Sequence, residues 1–118
     1  MRSISDSIYF LAWPTELHPE CESELRELGR ANPKLLSKVI YDLKLLREFG
    51  LTLLAEGRVK RLSETIYELR TRQGSNINRV LFGIAEDRIF VLTLSFRKKT
   101  QTTPTGLIRQ AEERLRER

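Results

Sequence analysis

The apolar residues of this 118-residue chain change period at one point, and that change fixes the fold class. Before it, Leu35, Leu36, Val39, Ile40, Leu43, Leu46 and Phe49 recur at spacings of three and four. Such spacing lays them along one side of a helix. After it, the residues alternate. Within Thr65 to Arg72, Tyr67 and Leu69 point one way, and Glu68, Arg70 and Arg72 the other. Alternation marks a strand with two different faces. Helices followed by a run of strands predict an α+β fold.

The punctuation fills in the order of elements. Ile4 to Trp13 is rich in β-formers and reads as a strand ended by Pro14. His18, Pro19 and Glu20 lead into a helix over Glu22 to Ala31, with Leu25, Leu28 and Cys21 on one face. Glu20, Glu22 and Glu24 crowd its start, where the helix dipole favours negative charge. Asn32-Pro33 supplies a cap and a first-turn proline for the next helix, which ends near Gly50. Almost nothing joins the two helices, so they should form an antiparallel hairpin. Leu51 to Glu64 is less regular, with a turn at Gly57.

Three strands follow: Thr65 to Arg72, Ile77 to Ala85 and Arg88 to Phe96. Turns at Gln73-Gly74-Ser75-Asn76 and Glu86-Asp87 join them into a meander. Thr103-Pro104 opens a last helix with Leu107, Ile108, Ala111 and Leu115 on its apolar face. We expect one domain over residues 1–118. The helix pair should cover one face of an antiparallel sheet, and the other face is left to polar and basic side chains.

Composition narrows the function. Apolar stretches such as Ile8 to Trp13 and Ile89 to Leu94 are too short to cross a bilayer. The N-terminal residues lack the pattern of a signal peptide, so a cytoplasmic location without membrane partners is expected. The single cysteine, Cys21, allows no internal disulfide and reads as a helix-start residue. Net charge is +5, but it is unevenly spread. Residues 1–57 carry 7 Lys/Arg and 9 Asp/Glu; residues 58–118 carry 14 and 7. An acidic front and a basic back point to a polyanion or acidic partner at the back half.

Familiar catalytic motifs are missing. The sequence has no Cys/His cluster for zinc, no glycine-rich phosphate loop and no aspartate cluster, so no metal or cofactor is expected. Chemistry would then run on cationic side chains. Arg70, Arg72, Arg79, Arg97, Lys98 and Lys99 all lie on the meander or at its end. Arginine suits such a site, because its planar fork grips two phosphate oxygens at once.

Three segments carry a resemblance: Ile66-Tyr67-Glu68-Leu69-Arg70, Asn78-Arg79-Val80-Leu81-Phe82, and Phe96-Arg97-Lys98-Lys99-Thr100-Gln101-Thr102-Thr103-Pro104. They resemble three consecutive motifs of HigB-type toxins of the RelE-like superfamily, in its phage-derived branch. The resemblance implies a RelE-like fold and the toxin of a type II toxin–antitoxin pair. Such toxins cut mRNA on the ribosome, without a metal, by attack of a 2′-hydroxyl on the adjacent phosphate. It also implies an antitoxin partner of helix-turn-helix type and a toxin–antitoxin hetero-oligomer.

By motif position, the resemblance makes Arg79, Lys98, Arg70 and Glu68 the catalytic candidates. Arg72, Arg97, Lys99 and Gln101 become candidates for RNA binding. Glu68 could act as a base or pair with Arg70 or Arg72. The chain departs from the family pattern at Asn78, Leu94 and Thr102, where relatives usually carry Tyr, His and Lys. A member that binds RNA or its antitoxin without cutting is therefore the alternative.

Overall fold

The computed structural model describes residues 13–86, 88–97 and 102–118. Its order is β1 (Thr15–Leu17), α1 (Pro19–Ala31), α2 (Pro33–Phe49), a 3-10 turn (Gly50–Leu54), β2 (Val59–Arg61), β3 (Tyr67–Gln73), β4 (Asn76–Ala85), β5 (Ile89–Arg97) and α3 (Thr105–Arg116). The strands form one sheet in the order β1-β5-β4-β3-β2. This is the mixed helix-and-sheet architecture expected, consistent with a RelE-like fold. No helix among the described residues is long and apolar enough to cross a membrane.

Local chemistry explains the helix ends. The His18 imidazole accepts a hydrogen bond from the Glu20 amide at 3.1 Å, and Pro19 opens the helix. Helix α1 therefore begins three residues before the expected Glu22. Asn32 caps α2 through its Oδ1, which accepts from the Leu35 amide at 3.1 Å. Gly50 ends α2 at φ 59°, in the left-handed region that glycine enters without strain.

The helical hairpin lies on one face of the sheet. Leu28, Leu35, Val39 and Leu46 pack there with Leu69, Val80, Phe82, Phe90 and Leu92. The meander turns fall where the sequence put them, with Gly74-Ser75 between β3 and β4.

Three expectations need correction or completion. The strand predicted over Ile4 to Trp13 falls, up to Ala12, outside the described residues. The edge strand observed, β1, lies beyond Pro14 and runs parallel to β5, unlike the antiparallel remainder. The irregular stretch after Gly50 contains a further edge strand, β2, paired with β3.

The third correction concerns the second face of the sheet, which is not left to polar side chains. Helix α3 lies across part of it and closes a smaller core of Ile66, Leu81, Leu94 and Ala111, flanked by Leu107, Ile108 and Leu115. Gly83 makes this possible. A Cβ there would stand 2.5 Å from a Leu115 methyl, so a larger residue would force the Leu115 side chain to shift.

Among the described residues, side chains take the place of a strand beside part of β5. β1 pairs with β5 only at Phe90, Val91 and Leu92. Beyond that, the Ser95 amide donates to Glu24 at 2.9 Å, and Arg114 donates to the Thr93 carbonyl at 3.0 Å. Arg114 also grips both Glu24 oxygens, at 3.0 and 2.9 Å. Helices on opposite faces of the sheet thus meet around its edge.

Candidate functional site

Helix α3 leaves one end of its face of the sheet to a group of charged residues. The register sets Arg70 of β3 directly opposite Arg79 of β4. Strand alternation puts Glu68, Arg70, Arg72 and Arg79 on this same face, with Phe96 of β5 beside Arg79. The Arg79 guanidinium sits 5.9 Å from the centre of the Phe96 ring. At that distance the ring face attracts the cation.

Glu68 is the hub. Its carboxylate is buried and pairs with Arg70 at 3.2 Å and with Arg79 at 3.6 Å. It also accepts a hydrogen bond from the Thr103 hydroxyl. A buried carboxylate is costly unless such partners surround it. Of the two sequence readings of Glu68, the geometry matches pairing, and the partners are Arg70 and Arg79, with Arg72 exposed farther along β3. Thr103 went unremarked in the sequence as a contact. Only its place in the threonine-rich segment before Pro104 could have pointed to it.

Arg79 is the least expected member, because none of its surface is exposed. Burial pushes the Arg79 guanidinium below its ordinary range, Glu68 opposes that shift, and Arg70 and Arg72 add to it. Arg70 is half-buried and Arg72 exposed, so both present charge to solvent beside Arg79.

The remaining candidates divide. Arg97 pairs in register with Asn78, which turns it to the hairpin side of the sheet, away from Arg79. Lys98, Lys99 and Gln101 lie outside the described residues. Asn78, where the pattern has tyrosine, is buried and exchanges hydrogen bonds with Ser95 at 3.2 and 3.3 Å. Leu94, where the pattern has histidine, is buried in the core beneath α3. Thr102 is exposed. Cys21 is buried and its thiol is pushed up to about 12, chiefly by burial, with Glu24 adding to the shift. It is a core residue. Among the described residues no cluster of His, Cys, Asp and Glu could hold a metal ion.

The arrangement can hold a negatively charged group at the end of a sheet, with two guanidiniums fixed side by side by one carboxylate. It lies within the part of the chain that matches a known family. No protein of curated function matches the sequence significantly. The family model described as phage derived protein Gp49-like (DUF891) matches residues 26–116. That stretch holds both helices of the hairpin after its first turns, the whole meander and α3. The chain therefore belongs to the Gp49-like phage-derived protein family, part of the RelE/HigB-like grouping associated with toxin–antitoxin systems.

Proposed function

We propose that this protein is the toxin of a type II toxin–antitoxin pair and acts as a ribosome-dependent mRNA endoribonuclease. One observation carries the reading: Arg70 and Arg79 stand side by side on one sheet face, held by Glu68, inside the family-matched region. Cleavage joins the 2′-oxygen to phosphorus as the bond to the 5′-oxygen breaks. A proton leaves the 2′-oxygen and another reaches the 5′-oxygen. A 2′,3′-cyclic phosphate and a 5′-hydroxyl remain.

Charge builds on the phosphate oxygens in the transition state, and fixed cationic donors stabilise it there. Arg79 and Arg70 fill that role, and Lys98 completes the set. Arg72, Lys99 and Gln101 hold the flanking strand, and Arg97, on the other face, takes no part. Glu68, occupied by three partners, acts as the anchor of the two arginines. With Leu94 in the core, proton transfer falls to Lys98 or to ribosomal RNA. The antitoxin, of helix-turn-helix type, silences the toxin in a hetero-oligomer in the cytoplasm.

The complete burial of Arg79 favours a second reading, in which the protein binds RNA or its antitoxin and does not cut. Expression without an antitoxin separates the two. Growth arrest with new 5′-ends on translated mRNA, detected by primer extension, supports cleavage. Arg79→Ala should then abolish both effects, since losing one charge-stabilising donor lowers such rates about a hundred- to a thousandfold. Unchanged arrest by a folded Arg79→Ala protein would sink the proposed mechanism.

A further inference from the structure

At the outer edge of the same sheet face, β2 and β3 enclose a small hollow of about 190 Å³, lined by Gly57, Arg58, Lys60, Glu68 and Arg70. Arg58, Lys60 and Arg61 open the basic half of the sequence. The proposed cleavage chemistry uses none of them.

The register explains why the hollow is cationic. Lys60 lies opposite Glu68, and the Arg70 amide donates to the Arg58 carbonyl at 3.1 Å, which closes the strand pair at that end. Lys60 and Arg70 thus rise from adjacent strands on the face that also carries Arg79. The charges are not equally available. Arg58 is engaged by Asp42 at 3.2 Å and Glu56 at 3.4 Å. Glu68 is taken up by Arg70, Arg79 and Thr103. Lys60 is exposed and has no ion pair among the described residues. Gly57 leaves the rim open, with nothing near the position a Cβ would take.

Volume and spacing define what fits. A water molecule occupies about 30 Å³ of liquid, so the hollow has room for a phosphate group and some water. Lys60 and Arg79 stand on strands two apart, roughly 10 Å across the sheet at the usual strand spacing. A polyanion that reaches Arg79 therefore meets a second cationic position beyond β3.

We propose that this hollow is a phosphate-binding subsite for an RNA strand, with Lys60 as the contact residue and Arg70 shared with the neighbouring Arg79 site. It rests on the reading of the protein as RNA-binding and adds a place where the strand is held one step away from the scissile phosphate. The hollow reads backbone charge and carries no base specificity.

Equilibrium binding of a fluorescein-labelled single-stranded RNA to the full-length protein, across a salt series, tests it. Each neutralised phosphate on a single strand contributes a slope of about 0.7 in log affinity against log salt. Lys60→Gln should reduce the slope by about 0.7 and weaken binding about fivefold at 0.1 M salt. Lys34→Gln, on the exposed side of α2, should leave both unchanged. Circular dichroism checks that each variant is folded, and Lys60 is exposed enough for the change to be tolerated. If wild type binds RNA and Lys60→Gln binds with the same affinity and slope, the subsite is overturned while the broader reading stands. If wild type binds no RNA at all, both fall. An equal loss in Lys34→Gln would replace the subsite with diffuse charge.

Discussion

Arg114→Met removes the guanidinium that joins α3 to the edge of β5 and keeps most of the apolar stem. The native side chain is 7% exposed and makes four hydrogen bonds: two to Glu24, one to the Thr93 carbonyl at 3.0 Å and one to Glu20 at 3.2 Å. Hydrogen bonds to charged groups contribute about 1.5–3 kcal/mol, and a buried carbonyl left without its donor costs about 1–3 kcal/mol. Glu24 is 30% exposed, so water reaches it and the lower end applies to that pair. Glu20 is mostly exposed, and its contribution is close to zero.

The expected loss is about 3 kcal/mol. For a chain of this size that is a fall in Tm of about 12 °C, at about 4 °C per kcal/mol. Urea denaturation followed by circular dichroism measures it. A double-mutant cycle with Glu24→Gln should return a coupling of about 1–2 kcal/mol. A loss below about 0.5 kcal/mol, or a coupling of zero, would show that water serves the β5 edge as well as these side chains do.

Other outcomes follow from the same geometry. Gly83→Val should destabilise the protein by about 1–3 kcal/mol, because its methyls need the space held by Leu115; thermal melting checks this. Glu68→Gln should loosen Arg70 and Arg79 and free Thr103, cutting any RNA cleavage by at least as much as it lowers stability. Unchanged single-turnover cleavage would remove Glu68 from its anchoring role. The buried Cys21 thiol should resist thiol reagents at pH 8 and react once urea unfolds the chain. Its raised pKa means that its contribution is full below pH 9.0 and lost as pH rises from there towards 12, since only the unfolded chain gives up the proton. Wild type should therefore lose stability faster than Cys21→Ala over that range, by about 1.4 kcal/mol per pH unit; parallel curves would contradict the shift.

Some elements announced themselves in the sequence and others did not, for physical reasons. Helix α2 was legible because its stripe, its Asn32-Pro33 start and its Gly50 end agree. The meander was legible because its turns are made of turn residues. β1 and β2, three residues each, are too short to show a period. β1 was also hidden behind the stronger β-formers before Pro14. The docking of α3 was missed because Leu81 and Leu94 share their strands with the charged residues that drew attention to that face.

Arg70, Arg79 and Glu68 could be picked out as candidates from their motifs and alternation. That Arg79 is buried could not, because its burial depends on tertiary packing that no local pattern encodes. Arg97 is the opposite case. Its neighbours in sequence suggested a shared patch, and the pleat turned it to the other face.

The join between Glu24 and Arg114 also bears on the order in which the chain can complete itself. Its two halves lie 90 residues apart in the chain. Until the last turn of α3 is made, the Thr93 carbonyl on the rim of β5 lacks its Arg114 donor, and Glu24 lacks the cation that holds it against the Ser95 amide. Closure by two side chains thus makes the last turn of α3 part of the seal on this edge of the sheet.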